Sequence, residues 1–226
     1  MKVLLIIPPY GLQSKKREVR QKKGFLPPVG VALLGTILEN DGHAITILDM
    51  QIETFTADEL TEYLKGKKPD MVCMSMLDAT YKITNEIFSI IKTNFPTTTT
   101  ICGGIHPSMY PKETLDDNKY IDLLIYGEAE ETLKELVNAL ENKRDLKNVK
   151  GLYLRDENGE IQFTGHRPVV QNLDEFPIPS RKFFDMSRYI PMPHTYKREP
   201  TTNMMTGRGC TYSLCTFCFE SSPFVR

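Results

Sequence analysis

KVLLIIPPY, residues 2–10, sets one lysine and five unbroken aliphatic residues before two prolines. An apolar run without alternation is what a strand buried on both faces needs, and such strands belong to parallel sheets covered by helices. The texture recurs downstream. VGVALLGTILENDGH (29–43) places Val31, Leu34 and Leu38 at helical spacing, with Gly42 as a stop. AITILDM (44–50) reads as the second strand. TADELTEYLKGKK (56–68) reads as a helix whose first residue, Thr56, is an N-cap with Glu59 three positions on. DMVCMSML (70–77), TTTICGG (98–104) and IDLLIYG (121–127) complete the strands, with helices over 80–94 and 128–141. Strands alternating with helices predict an α/β, doubly wound domain over residues 1–147. Its five-stranded parallel sheet is joined by right-handed crossovers.

Beyond Lys147 the pattern changes. GLYLRDENGEIQFTG (151–165) predicts a β-hairpin turning at Asp156–Gly159, and NLDEFPIPSRKFFDMSRYIPMPH (172–194) is proline-rich and aperiodic, so 148–200 reads as hairpin and linker. TTNMMTGRG (201–209) then predicts a strand opening a further domain at 201–226.

The chain has 226 residues, 28 basic and 29 acidic, a net charge of -1 that gives no electrostatic case for nucleic acid or an anionic membrane. The apolar start is too short for a signal sequence, and no stretch approaches the ~20 apolar residues of a membrane span. The chain therefore reads as cytoplasmic. Five cysteines, three of them crowded together, fit a reducing compartment and a thiolate-bound metal better than a disulfide framework. Six basic residues from Lys15 to Lys23 fit either a solvated insertion or a site for an anion.

In a doubly wound sheet, ligands bind beyond the carboxyl ends of the strands. Those ends carry Pro8, Pro9 and Tyr10; Ser75, Leu77 and Asp78; Gly103, Gly104 and His106; and Tyr126, Gly127 and Glu128. Gly103 and Gly104 either let a bulky ligand approach the backbone or simply turn the chain. The dinucleotide fingerprint G-x-G-x-x-G is absent after the first strand, as is the phosphate loop G-x-x-x-x-G-K-[ST]. A phosphoacceptor site would need acidic residues where Pro8, Pro9 and Tyr10 stand.

GRGCTYSLCTFCFE (207–220) spaces Cys210, Cys215 and Cys218 as C-x4-C-x2-C, three soft ligands for iron or zinc. A structural zinc site wants four protein ligands, whereas three leave one metal with an open position.

These features together resemble the cobalamin-binding radical S-adenosylmethionine enzymes. The resemblance is carried by LLIIPPY, GFLPPVGVALLGTILENDGHAITILDM, ICGGIHPSMYPKETL, DLLIYGEAEETLKELV, LDEFPIPSRKFFD and GRGCTYSLCTFCFE, which span nearly the whole chain. It differs from that family in its four residues between Cys210 and Cys215, where three are usual, and it lacks the D-x-H-x-x-G of methionine-synthase-type cobalamin domains. The resemblance implies a Rossmann-like or flavodoxin-like cobalamin domain followed by the truncated start of a radical barrel. It implies cobalamin with no protein histidine below cobalt, and a four-iron, four-sulfur cluster on Cys210, Cys215 and Cys218 that binds S-adenosylmethionine.

In that frame Pro8, Pro9 and Tyr10 fall at the corrin, Ser75 at the displaced benzimidazole and Gly103 and Gly104 along the nucleotide tail, with Leu77 also among the cofactor-binding residues. Gly127 and Glu128 would meet tail or ribose groups through their backbone N–H, or Glu128 simply stabilises the helix dipole. His106 reads as an exposed loop histidine. The longer parent enzyme would be a methyltransferase or oxidoreductase that draws electrons from a flavodoxin or ferredoxin, and this fragment alone would be inactive. Two other readings stay open: a cobalamin carrier or sensor, and a flavodoxin-like module with a zinc-binding tail.

Overall fold

The computed structural model describes residues 1–10, 24–212 and 214–218; the basic run Lys15–Lys23 lies outside them. The five expected strands are β1 (Lys2–Ile7), β2 (Ala44–Asp49), β3 (Met71–Ser75), β4 (Thr99–Gly103) and β5 (Leu123–Ile125). They pair in parallel in the order β2-β1-β3-β4-β5. The direction of winding reverses between β1 and β3, which locates the crevice for a ligand.

Unbroken apolar runs supply both faces of this sheet. Leu4 and Ile6 enter one core cluster with α2 (Ala57–Lys67) and α3 (Tyr81–Asn94). Val3 and Leu5 enter the other, with α1 (Val29–Asn40) and α6 (Glu130–Glu141). α2 begins as its sequence predicts: Thr56 Oγ1 accepts from Glu59 N–H at 3.2 Å and Thr56 N–H donates to Glu59 Oε2 at 3.0 Å. Two short helices, α4 (Ile105–Met109) and α5 (Pro111–Asp117), fill the β4–β5 connection, where no helix was expected. Each is too short to show a period.

The hairpin was expected as an extension outside the sheet, but β6 (Leu152–Arg155) and β7 (Ile161–Phe163) continue it antiparallel from β5, giving seven strands. β5 would otherwise present an unpaired edge. Leu152 and Leu154 join the α1/α6 core, and the Arg155 guanidinium donates to the carbonyls of Ile121 at 2.7 Å, Asn118 at 3.1 Å and Leu115.

The proline-rich linker is also docked. Phe183 packs where Gly35 leaves α1 bare: a Cβ there would lie 3.2 Å from the ring. Ser180 N–H donates to Thr36 Oγ1 at 2.9 Å, and the Tyr189 hydroxyl to Asp49 Oδ2 at 3.0 Å. Residues 201–209, expected as a strand, form none. Lone strands are unstable without a neighbour, and the described residues pair no edge with this one. No described helix is long and apolar enough to cross a membrane.

Candidate functional site

α1 and α6 cover the same face of the sheet and approach each other toward the amino ends of the strands, where Lys134 Nζ lies 3.4 Å from Asp41 Oδ1. Near the carboxyl ends they leave a cleft of about 230 Å³. Its floor includes Cys73, Ser75, Ile101 and Gly103; α1 contributes Gly30, Val31 and Leu34, while Gly127, Ala129, Glu130 and Leu133 line the opposite wall. The lining is mostly apolar with a few polar groups, the usual character of a small-molecule site.

The glycine pair divides the two roles left open by sequence. A Cβ on Gly103 would meet nothing nearer than Ile125 at 3.8 Å, so this glycine leaves the floor bare. Gly104 has φ +104°, and a Cβ there would stand 2.6 Å from Ser75 Oγ and 3.0 Å from the Met76 carbonyl oxygen. Gly104 therefore turns the chain tightly against β3 while its backbone also lines the cleft. On the cleft walls, a Cβ on Gly30 or Gly127 would meet nothing within 4 Å.

Ser75 is exposed at the cleft mouth, and its hydroxyl makes no hydrogen bond to another described residue. The Gly127 N–H, expected to serve a ligand, instead donates to Ser108 Oγ at 3.0 Å. α6 begins only at Glu130, so Gly127 and Glu128 precede its first turn; Gly127 offers room without a donor.

At the carboxyl ends of β1, β3 and β4 a set of large apolar side chains is exposed: Tyr10 (66%), Leu77 (40%), Ile105, Met109 and Tyr110. Pro9, expected to join that surface, is buried with Pro8. His106 also departs from its reading as an exposed loop residue. It lies on α4, its Nδ1 meets Asp78 Oδ1, and its ring packs against Tyr81 at 4.7 Å and Tyr110 at 5.4 Å. The sequence pointed to the strand ends but gave no sign of the α1 wall, because that helix start lies far from them along the chain, or of the direction in which the Cys73 side chain leaves β3.

Burial controls the two strand thiols. It pushes Cys73 up to about 12 and raises Cys102 as well, with Cys73 adding to the latter. Both are therefore neutral at physiological pH. Glu128, expected at the cofactor, pairs instead with Arg208, whose Nη1 lies 3.1 Å from Glu128 Oε1 and whose Nη2 contacts Glu130 Oε1. Burial works against the Arg208 charge, but the hydrogen bonds and charges of Glu130 and Glu128 outweigh it and raise its pKa.

Cys210 is exposed, and Cys215 and Cys218 are half-buried, linked by a turn in which Cys218 N–H donates to the Cys215 carbonyl at 3.1 Å. The donor class suits a cluster, yet among the described residues no three metal-binding side chains are gathered into one site.

Residues 19–137 match the B12 binding domain family. The chain belongs to that family. An uncharacterized methyltransferase of Pyrococcus horikoshii is 33% identical over the full chain, which corresponds to 47% of that protein. An anaerobic magnesium-protoporphyrin IX monomethyl ester cyclase of Synechocystis is 27% identical, again over the full chain and 44% of the cyclase. The chain thus spans about half the length of these relatives. Among solved structures, the cobalamin-dependent S-adenosylmethionine radical enzyme OxsB, with aqua-cobalamin and S-adenosylmethionine bound, superposes with a TM-score of 0.73 at 23% identity. That superposition covers 96% of this chain and 28% of OxsB, and it supports the fold. The relatives include both a methyltransferase and a cyclase.

Proposed function

We propose that this B12-binding domain holds cobalamin in the cleft between the sheet and α1/α6, as the cobalamin module of a radical S-adenosylmethionine enzyme. The observation that carries the reading is the bare, glycine-floored cleft opening beside an exposed apolar platform. The nucleotide tail is a flat group on a narrow stem, and Gly103, Gly30 and Gly127 leave room for it. The Ser75 hydroxyl is positioned to meet a polar atom of that tail. Tyr10, Leu77, Ile105 and Tyr110 offer apolar surface to the underside of the corrin, where their burial would contribute about 25 cal/mol per Å². Bound cobalamin would supply the cobalt chemistry, and the protein would supply its position and surroundings.

The test is a hydroxocobalamin titration read by visible spectrum and by retention through gel filtration, with Gly103→Leu beside the wild type. Wild-type retention with a base-off spectrum is expected, with affinity at least about ten-fold weaker in the variant while its far-UV circular dichroism is unchanged. Failure of the wild type to retain cobalamin, or equal retention by a folded Gly103→Leu protein, would sink the assignment.

A cluster on Cys210, Cys215 and Cys218 is a separate proposal. It rests on the C-x4-C-x2-C spacing and on the family resemblance. Anaerobic reconstitution should incorporate iron and labile sulfide in the wild type and lose both in Cys215→Ser. Uptake of zinc without iron would favour a zinc-binding tail. A parent enzyme with this cluster would bind S-adenosylmethionine and take electrons from a flavodoxin or ferredoxin, with methyl transfer or oxidative cyclisation as its reaction class.

A further inference from the structure

Two arginines strap the segment leading into the cysteines to the helices that form the cleft. On the α1 side, Arg181 Nε donates to Thr202 Oγ1 at 3.0 Å and its Nη2 to the Asn203 carbonyl at 2.5 Å, while the preceding Ser180 is bonded to Thr36 of α1. On the α6 side, Arg208 reaches Glu128 and Glu130 together. Gly209, with φ +78°, separates Arg208 from Cys210, so a fixed guanidinium is followed at once by a turn into the first cysteine.

The acidic partners bear on the cleft. Glu130 is buried, opens α6 and lines the cleft wall. Glu128 keeps its second oxygen, Oε2, buried with no hydrogen-bond partner, while its first meets the Arg208 guanidinium. Removing the guanidinium would leave two adjacent carboxylates without their cation, one of them buried, an arrangement that proteins tolerate poorly.

We propose that Arg208 is a positioning residue that docks the cysteine loop onto the cleft wall through Glu128 and Glu130, so that filling the cleft and docking the loop favour each other. The coupling half rests on cobalamin being the occupant of the cleft, while the docking half stands without it. A ligand packed against Glu130 fixes the carboxylate that receives Arg208, and a docked Arg208 holds that wall ready for the ligand. Such coupling is reciprocal: the factor by which the ligand favours the docked loop equals the factor by which docking tightens the ligand.

The test uses the full 226-residue chain and limited chymotrypsin cleavage at Tyr212 and Phe217, both exposed within the loop. Without cofactor, Arg208→Gln and Glu130→Gln should be cut about five-fold faster than the wild type, with Arg208→Lys between them. Equal rates overturn the docking.

With saturating hydroxocobalamin, wild-type cleavage should slow by about five-fold, the lower end of ordinary coupling, and Arg208→Gln cleavage should not. The cobalamin Kd of Arg208→Gln should rise by the same factor. Cobalamin that binds the wild type and leaves its cleavage unchanged overturns the coupling, as does an Arg208→Gln protein with wild-type affinity. If the wild type binds no cobalamin at all, the cofactor assignment and the coupling fail together, and the docking is judged on the cofactor-free comparison. Far-UV circular dichroism of each variant separates loop release from unfolding.

Discussion

Gly103 and Gly104 are neighbours in the chain, yet their substitutions should fail in different ways. Gly104→Ala forces a side chain into positive φ and onto the backbone of Met76, so it should cost about 2 kcal/mol or more in urea unfolding. A Cβ at Gly103 makes only ordinary contact with Ile125 at 3.8 Å, so Gly103→Leu, its side chain directed into the cleft, should change stability by less than about 1 kcal/mol while losing cobalamin. The pair was legible as a pair, but sequence does not give φ or the direction of a missing Cβ, so it could not assign the two roles. Cys73 shows the same limit. Its place in an apolar strand suits a core thiol, and only the fold reveals that it also lines the cleft. Cys102 is fully buried and burial holds its thiol neutral, so it should stay unmodified by a thiol reagent at pH 8 in the native protein, with all five cysteines reacting in urea. Rapid native labelling of Cys102 would contradict the packing of β4.

At the scale of elements, the β-strands and long helices could be read because their apolar periods are strong, whereas α4 and α5 are too short to show a period. The linker was misjudged for a different reason: a segment without regular structure can still be fixed by single side chains. Tyr189 is one of these, and its partner Asp49, at the end of β2, carries a pH dependence. Burial raises the Asp49 pKa above its ordinary 3.8, outweighing the hydrogen bonds from Gln51 and Tyr189 that lower it. The folded state therefore binds the proton more tightly than the unfolded chain does. Stability from this group falls as pH rises from 3.8 through the raised folded value. Asp49→Asn should accordingly gain on the wild type between pH 4 and pH 7, measured as the shift in the difference of their urea midpoints. A difference that is constant with pH, or that moves the other way, would mean that Asp49 is not buried in this way.

Across the whole molecule, the boundary read at Lys147 divides a sheet that the fold makes continuous. Composition changes there because the strands after it are antiparallel and face solvent on one side, a pattern that resembles an independent hairpin when read alone. The structure ties the two parts together through buried groups on both sides of the boundary. Val149, Leu152 and Leu154 belong to the core between the sheet and α1/α6, and Arg155 satisfies three backbone carbonyls, one in α5 and two in the α5–β5 connection. A chain ending at Lys147 would expose the β5 edge, leave those carbonyls without their donor at about 1–3 kcal/mol for each that stays buried, and lose the buried side chains of Val149, Leu152 and Leu154. Against the 5–15 kcal/mol that usually separates folded from unfolded domains, those losses are enough to unfold it. A chain ending at Gly165 keeps the hairpin and should fold cooperatively. Far-UV circular dichroism and urea titration of the two truncations make the comparison. If the 1–147 protein unfolds with the same midpoint as the 1–165 protein, the hairpin is an appendage after all and the sheet's stability ends at β5.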